Sequence, residues 1–101
     1  MHKAVKLLQK IPKGKVTTYK ELAKATKTHS RAVGQLMKRN TNSVLYPCYR
    51  VVLSSGDVGN YSASGGRKRK IRLLEKDGIV VKNGKVDLRR YMFKLSKIRH
   101  K

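Results

Sequence analysis

Apolar side chains return at helical spacing in the first forty residues. At the start of the chain the intervals are three and four residues, which predicts a helix over residues 2–10 with its lysines outside. The same periodicity predicts a short helix ending near Thr26 and another over residues 31–39. The apolar positions of the first and third helices are Ala4, Leu7, Leu8, Ile11, Ala32, Val33, Leu36 and Met37.

Polar residues indicate where the second and third helices begin. Thr18 stands three residues before Glu21, the spacing of a capping box, in which each side chain bonds the other residue's N–H. Ser30 is predicted to cap the third helix, and His29 before it is interpreted as a solvated turn residue. Two short helices joined by a tight break form a helix-turn-helix pattern, although two helices of an ordinary bundle have the same pattern.

Beyond Asn40 the helical period is lost. Leu45 and residues 51–53 indicate extended chain, followed by a turn at 54–57 and a flexible loop over 59–66. Residues 67–76 return to helix, with Gly78 as its stop. Asn83-Gly84 lies between two apolar segments, 79–82 and 85–88, and predicts a type I′ hairpin. The predicted fold class is mainly α with a small β wing and a C-terminal β-hairpin.

The chain is long enough for one small domain, which we place at residues 1–91, with a basic C-terminal tail at 92–101 that is either helix or extended arm. Its 101 residues include 26 Lys and Arg against 5 Asp and Glu, a formal charge of +21. A globular chain this basic is typical of proteins that bind nucleic acid, including the nucleic acid of the ribosome. Binding to an anionic membrane is the less favoured alternative. No apolar run approaches the ~20 residues of a membrane span.

Metal and cofactor chemistry finds little support in the sequence. One cysteine and three scattered histidines lack the spacing of metal ligands, and the five acids lie far apart. Gly65-Gly66 precedes a basic helix but is not followed by the Gly-Lys-Ser/Thr of a P-loop. A lone cysteine forms no internal disulfide and fits a reducing compartment. No metal and no cofactor are therefore expected.

That cysteine, Cys48, lies in the segment LYPCYRVV. Most lone cysteines are small core residues, but Pro47 argues against a plain central strand. A cation such as Arg50 would favour the reactive thiolate. The neighbouring Tyr49 is a poor base at neutral pH. Both interpretations, nucleophile and core residue, stay open on these residues alone.

Five blocks of sequence resemble the active-site domain of the O6-alkylguanine-DNA alkyltransferases, also called methylated-DNA–protein-cysteine methyltransferases. The family's Ile-Pro-Cys-His-Arg-Val corresponds to residues 46–51, and its asparagine, eight residues before the cysteine, corresponds to Asn40. The other blocks are Pro-x-Gly-x-Val-x-x-Tyr at 12–19, Arg-Ala-Val-Gly at 31–34, the loop at 58–62 and Leu-Leu-x-x-Glu-Gly at 73–78. They lie in the family's order and span about two thirds of the chain.

The resemblance implies a winged helix-turn-helix that enters the minor groove of duplex DNA, flips out O6-alkylguanine and transfers the alkyl group irreversibly to Cys48. Arg31 would replace the flipped base in the stack, and Tyr19 would contact that base and its phosphate. The implied base pocket consists of Met37, Val51, Tyr61 and Ser62. The implied DNA surface adds Ser30, Ala32, Gly34, Gln35, Lys38 and Arg39. No cofactor is needed, and a monomer in the cytoplasm or nucleoid, or in a nucleus, is expected.

The chain departs from the family at the residues that move the proton of the cysteine thiol. Tyr49 stands where the family has its catalytic histidine, and Asp77 stands where it has a glutamate. Ala63 and Ser64 lengthen the loop after Tyr61, and the family's N-terminal domain has no counterpart in these residues. Residues 84–91 resemble the end of the alkyltransferase-like proteins, which bind O6-alkylguanine without repairing it and flag it for nucleotide excision repair.

Three functions therefore follow from the sequence. The first is a compact alkyltransferase with Cys48 as acceptor. The second is a non-enzymatic lesion-binding protein. The third is a basic chromatin-like or ribosome-associated binder that is blind to lesions, favoured by a charge larger than base flipping requires.

Overall fold

The computed structural model describes residues 3–39, 45–59, 61 and 65–95. Five α-helices lie in these ranges: α1 (Lys3–Leu7), α2 (Tyr19–Ala25), α3 (Ser30–Lys38), α4 (Gly66–Lys76) and α5 (Leu88–Tyr91). The four short strands are β1 (Thr17–Thr18), β2 (Val51–Val52), β3 (Val81–Lys82) and β4 (Lys85–Val86). The mainly helical class with small sheets is confirmed. Among the described helices, none combines the length and hydropathy that crossing a membrane requires.

The caps of α2 and α3 fix how the two helices follow one another. The Glu21 N–H donates to Thr18 Oγ1 at 3.0 Å, as the capping-box spacing predicts. The prediction for α3 is wrong: its N-cap is His29, whose Nδ1 accepts the Ala32 N–H at 3.2 Å, and Ser30 is the first helical residue. An imidazole nitrogen performs here the task that a hydroxyl usually performs, because it presents a lone pair to an unpaired N–H at the helix start.

A parallel strand pair ties the front of the chain to the segment around Cys48. Thr17 pairs with Val51 and Thr18 with Val52. The extended chain expected at Leu45 is not continuous with β2, because Cys48–Arg50 forms a 3-10 turn directly after Pro47. The turn leads into β2, so the position of Cys48 is set by the strand pair on one side and by Pro47 on the other.

The hairpin after α4 forms as predicted. Asn83 and Gly84 both have positive φ, 52° and 73°, as a type I′ turn requires. The strands are shorter than expected, since Leu88 begins α5 under an Asp87 cap. The Val86 N–H donates to the Gly56 carbonyl at 2.8 Å, which fastens the hairpin to the turn after β2.

The C-terminal segment packs on the core beyond α5. The Phe93 N–H donates to the Val16 carbonyl at 2.7 Å, and Leu95 is fully buried. Phe93 and Leu95, placed in the basic tail by the sequence, thus pack in the same cluster that holds α1, α2, α3 and Cys48. The rest of the predicted tail, 96–101, lies outside the described residues.

Candidate functional site: a cavity around Cys48

A cavity of about 570 Å³ opens between α2, α3, α4 and the turn that carries Cys48. It brings together many of the residues that the sequence singled out: Tyr19, Ser30, Arg31, Gly34, Met37, Lys38, Cys48 and Tyr61. Two further residues, Leu53 and Lys70, complete the lining and were not predicted. The cavity is therefore built from segments that are distant in sequence and meet through the fold.

Cys48 forms part of the cavity wall. It is the first residue of the 3-10 turn, its N–H donates to the Tyr46 carbonyl at 2.8 Å, and only 6% of its surface is exposed. The thiol is thus largely shielded from bulk solvent yet borders a space into which a small group can enter. Such a thiol is positioned to react with a ligand inside the cavity rather than with solutes in general.

Tyr19 enters the cavity from the first residue of α2. Burial raises the pKa of its phenol, and the nearby Cys48 raises it further. Since the phenol ordinarily titrates near ~10, it stays protonated at neutral pH. Tyr19 is therefore a hydrogen-bond donor toward whatever occupies the cavity.

Tyr61 presents a second hydroxyl. Its ring is buried, and within the described part of the chain its Oη has no hydrogen-bond partner. Buried hydroxyl groups in folded proteins are usually hydrogen-bonded, so the Tyr61 Oη is a candidate partner for a polar group that enters the cavity. Together with Met37 and Leu53, Tyr61 makes the lining partly apolar with isolated polar groups, which is typical of a ligand site.

Lys70 is a charged residue of the cavity that the sequence analysis did not identify. It lies on α4, is 1% exposed, and its Nζ stands 5.8 Å from the centre of the Tyr19 ring. Burial lowers the pKa of its amine to about 8, against opposing effects of Cys48 and Asp57. A signal existed: Lys70 precedes the buried Leu74 by one helical turn, on the same face of α4. The run of basic residues around it concealed that signal.

The remaining predicted DNA-contacting residues lie along α3. Arg31, Gln35, Lys38 and Arg39 are exposed, so four polar side chains line the outer face of the helix. Ala32 and Gly34 are half-buried between them. The arrangement presents one cationic helix face beside the mouth of the cavity, which suits a phosphate backbone.

The positions of the family's histidine and glutamate lie in a second cavity. Tyr49 donates its hydroxyl to Asp77 Oδ2 at 2.9 Å, and Arg50 Nε donates to the same oxygen at 3.0 Å. Arg50 also donates to the Ile11 carbonyl at 2.9 Å. This cavity, of about 510 Å³, includes Tyr49 and Asp77 but not Cys48. Burial raises the pKa of Tyr49, and the hydrogen bond to Asp77 raises it further, so the phenol holds its proton.

One predicted residue lies away from the first cavity, and two others are not among the described residues. Val51 is buried in β2 and does not line it. Asn40 and Ser62 lie outside the described residues. Within the described ranges, no group of three or more His, Cys, Asp or Glu side chains is placed to hold a metal ion.

Comparison with known proteins finds one matching family and several similar proteins. Residues 1–79 match the family described as 6-O-methylguanine DNA methyltransferase, DNA binding domain. A bifunctional methyltransferase/endonuclease of Picrophilus torridus is 46% identical over 89 residues, which are 86% of this chain and 29% of that protein. A methylated-DNA–protein-cysteine methyltransferase of Thermococcus barophilus is 48% identical over 73 residues, 72% of this chain and 40% of the relative.

A solved structure extends the likeness to almost the whole chain. Atl1 of S. pombe, in complex with damaged DNA containing O6-carboxymethylguanine, superposes with a TM-score of 0.81 at 32% identity. The match covers 91% of this chain and 92% of Atl1, whereas the chain spans well under half of the two curated relatives. In length, the chain is thus similar to Atl1.

Proposed function

Because the chain belongs to the 6-O-methylguanine DNA methyltransferase family, we propose that it is a DNA repair protein that binds duplex DNA and transfers the alkyl group of O6-alkylguanine to Cys48. The observation that carries the proposal is the location of Cys48 on the wall of the 570 Å³ cavity that Tyr19 and Tyr61 also line. A cysteine kept only for packing would not need a cavity with polar groups beside it.

On DNA, α2 and α3 act as a helix-turn-helix and the β3–β4 hairpin as the wing. The cationic face of α3 contacts the backbone from the minor-groove side, and Arg31, exposed at the cavity mouth, fills the space left by the flipped base. Extruding a base costs a few kcal/mol, less when alkylation has weakened its pairing, so the protein selects damaged guanine partly through that difference.

The reaction is a displacement at the alkyl carbon. A bond forms between Cys48 Sγ and the carbon, the bond from carbon to O6 breaks, and its electron pair stays on the guanine. The proton of the thiol is balanced by the proton that the guanine regains, and the phenol of Tyr19 is a donor beside the base. No cofactor takes part, and each molecule acts once because the thioether is stable.

The test measures what happens to the methylated base in the DNA. A duplex with one O6-methylguanine is incubated with excess protein, and its nucleosides are separated after digestion. The proposed function predicts conversion of O6-methylguanine to guanine, one base per protein molecule, by the wild type and none by Cys48→Ser. Unchanged O6-methylguanine in the wild-type reaction would contradict it.

A second function is supported by two specific observations. The phenol at the histidine position is bonded to Asp77, and the likeness to Atl1 covers nearly the full length of both chains. Under this function the protein binds the lesion as a monomer, leaves it intact and passes it to nucleotide excision repair. It predicts tighter binding to alkylated than to plain duplex for both the wild type and Cys48→Ala, with no loss of O6-methylguanine. Equal affinities for the two duplexes would exclude it and favour a lesion-blind binder.

A further inference from the structure

The turn that carries Cys48 borders two cavities, and the proposed function uses only one of them. Tyr49 and Arg50, the other residues of the turn, line the second cavity of about 510 Å³. Its remaining walls come from the segment after α1, the chain before the turn and one side of α4. The two cavities share no lining residue, and no residue of α3 lines the second. A ligand can therefore occupy the second cavity while a base occupies the first.

The second cavity is strongly positive. Its charged lining residues are Lys13, Arg50, Arg69, Lys76 and Asp77. The carboxylate of Asp77 already accepts hydrogen bonds from Tyr49 and Arg50, at 2.9 and 3.0 Å. Within the described ranges, by contrast, the other three cations are exposed and form no salt bridge. The lining thus attracts an anion, because its one acid is engaged and most of its cations are not.

Arg50 is the cation that the fold holds in place. Its side chain is only 15% exposed, Nε donates to Asp77, and Nη1 donates to the Ile11 carbonyl at 2.9 Å. A guanidinium presents further N–H groups in a fixed fork, which suits the two oxygens of a carboxylate. Because the side chain is already ordered, little conformational entropy is lost when it binds one.

The rim of the same cavity is apolar at Leu45. This side chain is 51% exposed, and Pro47 and Leu73 also line the cavity. The phosphate backbone of DNA has no apolar group with which to cover a leucine. A peptide that carries acidic and apolar side chains matches both the cations and the leucine. The combination therefore favours a protein ligand over a nucleic acid.

We propose that the second cavity binds an acidic peptide segment of another protein. Carboxylates of the peptide contact Lys13, Arg50 and Lys76, and an apolar side chain of the peptide covers Leu45. A second copy of this chain does not fit, because its 26 basic residues against 5 acidic ones bring like charge. The inference goes beyond the proposed function and holds whether or not Cys48 is alkylated.

The first test measures which cations attract such a peptide. The probe is a fluorescein-labelled peptide of Glu residues with a central pair of Leu, titrated by anisotropy. An ionic strength near ~0.15 M, with a Debye length of about 8 Å, limits long-range attraction to the basic surface. The double variant Lys13→Gln/Lys76→Gln is expected to bind the peptide at least about fivefold more weakly than the wild type.

A matched control removes the same charge elsewhere. Lys68 and Arg72 are exposed on α4 and line neither cavity. The variant Lys68→Gln/Arg72→Gln is expected to change the affinity by less than about twofold. Equal losses in the two double variants would overturn the proposal, because the peptide would then respond only to net charge.

The apolar contact is tested separately. Leu45→Ser is expected to weaken binding of the same peptide about threefold or more. Val80→Ser changes another exposed apolar residue, which lines neither cavity, and is expected to have no effect. If Leu45→Ser bound the peptide as tightly as the wild type, a peptide with an apolar anchor would be excluded as the occupant.

A last measurement uses the wild type alone. The labelled peptide is titrated into protein that already holds one short unlabelled duplex. The peptide is expected to bind with its affinity reduced by less than about fivefold, because the duplex neutralises part of the positive charge but leaves the second cavity open. Competitive displacement of the peptide by the duplex would overturn the proposal and show that the peptide occupies the DNA surface.

Discussion

At the scale of single residues, the 3-10 turn of Cys48–Arg50 separates two sets of polar side chains. Tyr49 and Arg50 both bond to Asp77, so the carboxylate is engaged by two donors and its side chain is only 7% exposed. Removing one partner of such a charge-assisted pair destabilises the fold, because the other charge is then left buried and unpaired. We infer that the Tyr49–Asp77–Arg50 cluster serves to hold the turn in place, and that reactivity lies on the other side of it.

The buried charge of Lys70 predicts an unusual dependence of stability on pH. Its pKa of about 8 in the folded chain lies below the ~10.4 of an exposed lysine. Between these values the unfolded chain binds more protons than the folded one, so the free energy of unfolding rises with pH across that window. Below pH 8 the cost of burying the ammonium is fully present, at most about 3 kcal/mol.

Lys70→Met is therefore expected to be more stable than the wild type at pH 7, by about 1–3 kcal/mol. The difference should shrink as the pH is raised to 10, because the amine of the folded wild type has then lost its charge and no ammonium is buried. Urea unfolding at the two pH values measures it, with the exposed Lys76→Met as control. If Lys70→Met were less stable than the wild type at both pH values, the contacts of the amine would stabilise the fold by more than the burial of its charge costs.

At the scale of elements, α3 contains a glycine with no evident structural purpose. Gly34 lies inside the helix, and a Cβ there would have no neighbouring heavy atom within 4 Å. Glycine in a helix interior costs roughly 0.5–1 kcal/mol relative to alanine. Its position at the cavity suggests that the absence of a side chain serves close approach of the DNA.

Gly34→Ala should therefore raise stability while weakening DNA binding. We expect a gain of about 0.5–1 kcal/mol in urea unfolding and a loss in duplex affinity of about tenfold in fluorescence anisotropy. The two readouts move in opposite directions, so misfolding cannot mimic the result. Unchanged affinity in the stabilised variant would place the DNA on another face.

Elements defined by local chemistry were the ones that the sequence predicted well. The periodicity of α1 to α4, the Thr18 cap and the Asn83-Gly84 turn all depend on residues within a few positions of each other. The parallel pair of β1 and β2 joins residues more than thirty positions apart over two residues each, so no periodic pattern announces it. The cap of α3 was misassigned because a hydroxyl stood next to the histidine that performs the task.

The same distinction holds for the site. Motif blocks identified Cys48, Tyr19, Arg31 and Tyr61, and the fold brings these four to one cavity. The resemblance aligned Tyr49 and Asp77 with the family's histidine and glutamate, and the hydrogen bond between them lies in the second cavity. Lys70 was missed because burial of a lysine is a tertiary property, whereas the sequence shows only a charge in a charged run.

At the scale of the whole molecule, the charge of +21 is distributed over several surfaces. Exposed cations lie on α3 beside the cavity and on α4, where Arg67, Lys68, Arg69 and Arg72 face outward. Such a surface is expected to bind any duplex with a steep dependence on salt, while the cavity supplies preference for the damaged base. Under the proposed function, non-specific affinity and lesion selectivity are therefore expected to reside in different parts of the molecule.

The C-terminal residues predict two distinct truncation effects. Removing 96–101 takes away three cations and leaves Leu95, so the fold should persist and the salt slope of binding should fall by up to about 3. Removing 92–101 also deletes buried Leu95 and the bond from Phe93 to Val16, which should lower stability by about 2–4 kcal/mol. Anisotropy titrations at several salt concentrations and urea unfolding measure the two. An unchanged salt slope after the shorter deletion would show that these cations do not contact DNA.

Alkyl transfer to Cys48 is tested most directly by the mass of the protein after incubation with alkylated DNA. Wild-type chain is incubated with duplex containing O6-methylguanine, and intact mass and tryptic peptides are compared with a reaction on plain duplex. The proposed function predicts the mass gain of one methyl group replacing a hydrogen, located on the peptide that contains Cys48. An unmodified Cys48 peptide, from protein shown to bind the same duplex, would contradict it and make the lesion-binding function the better description.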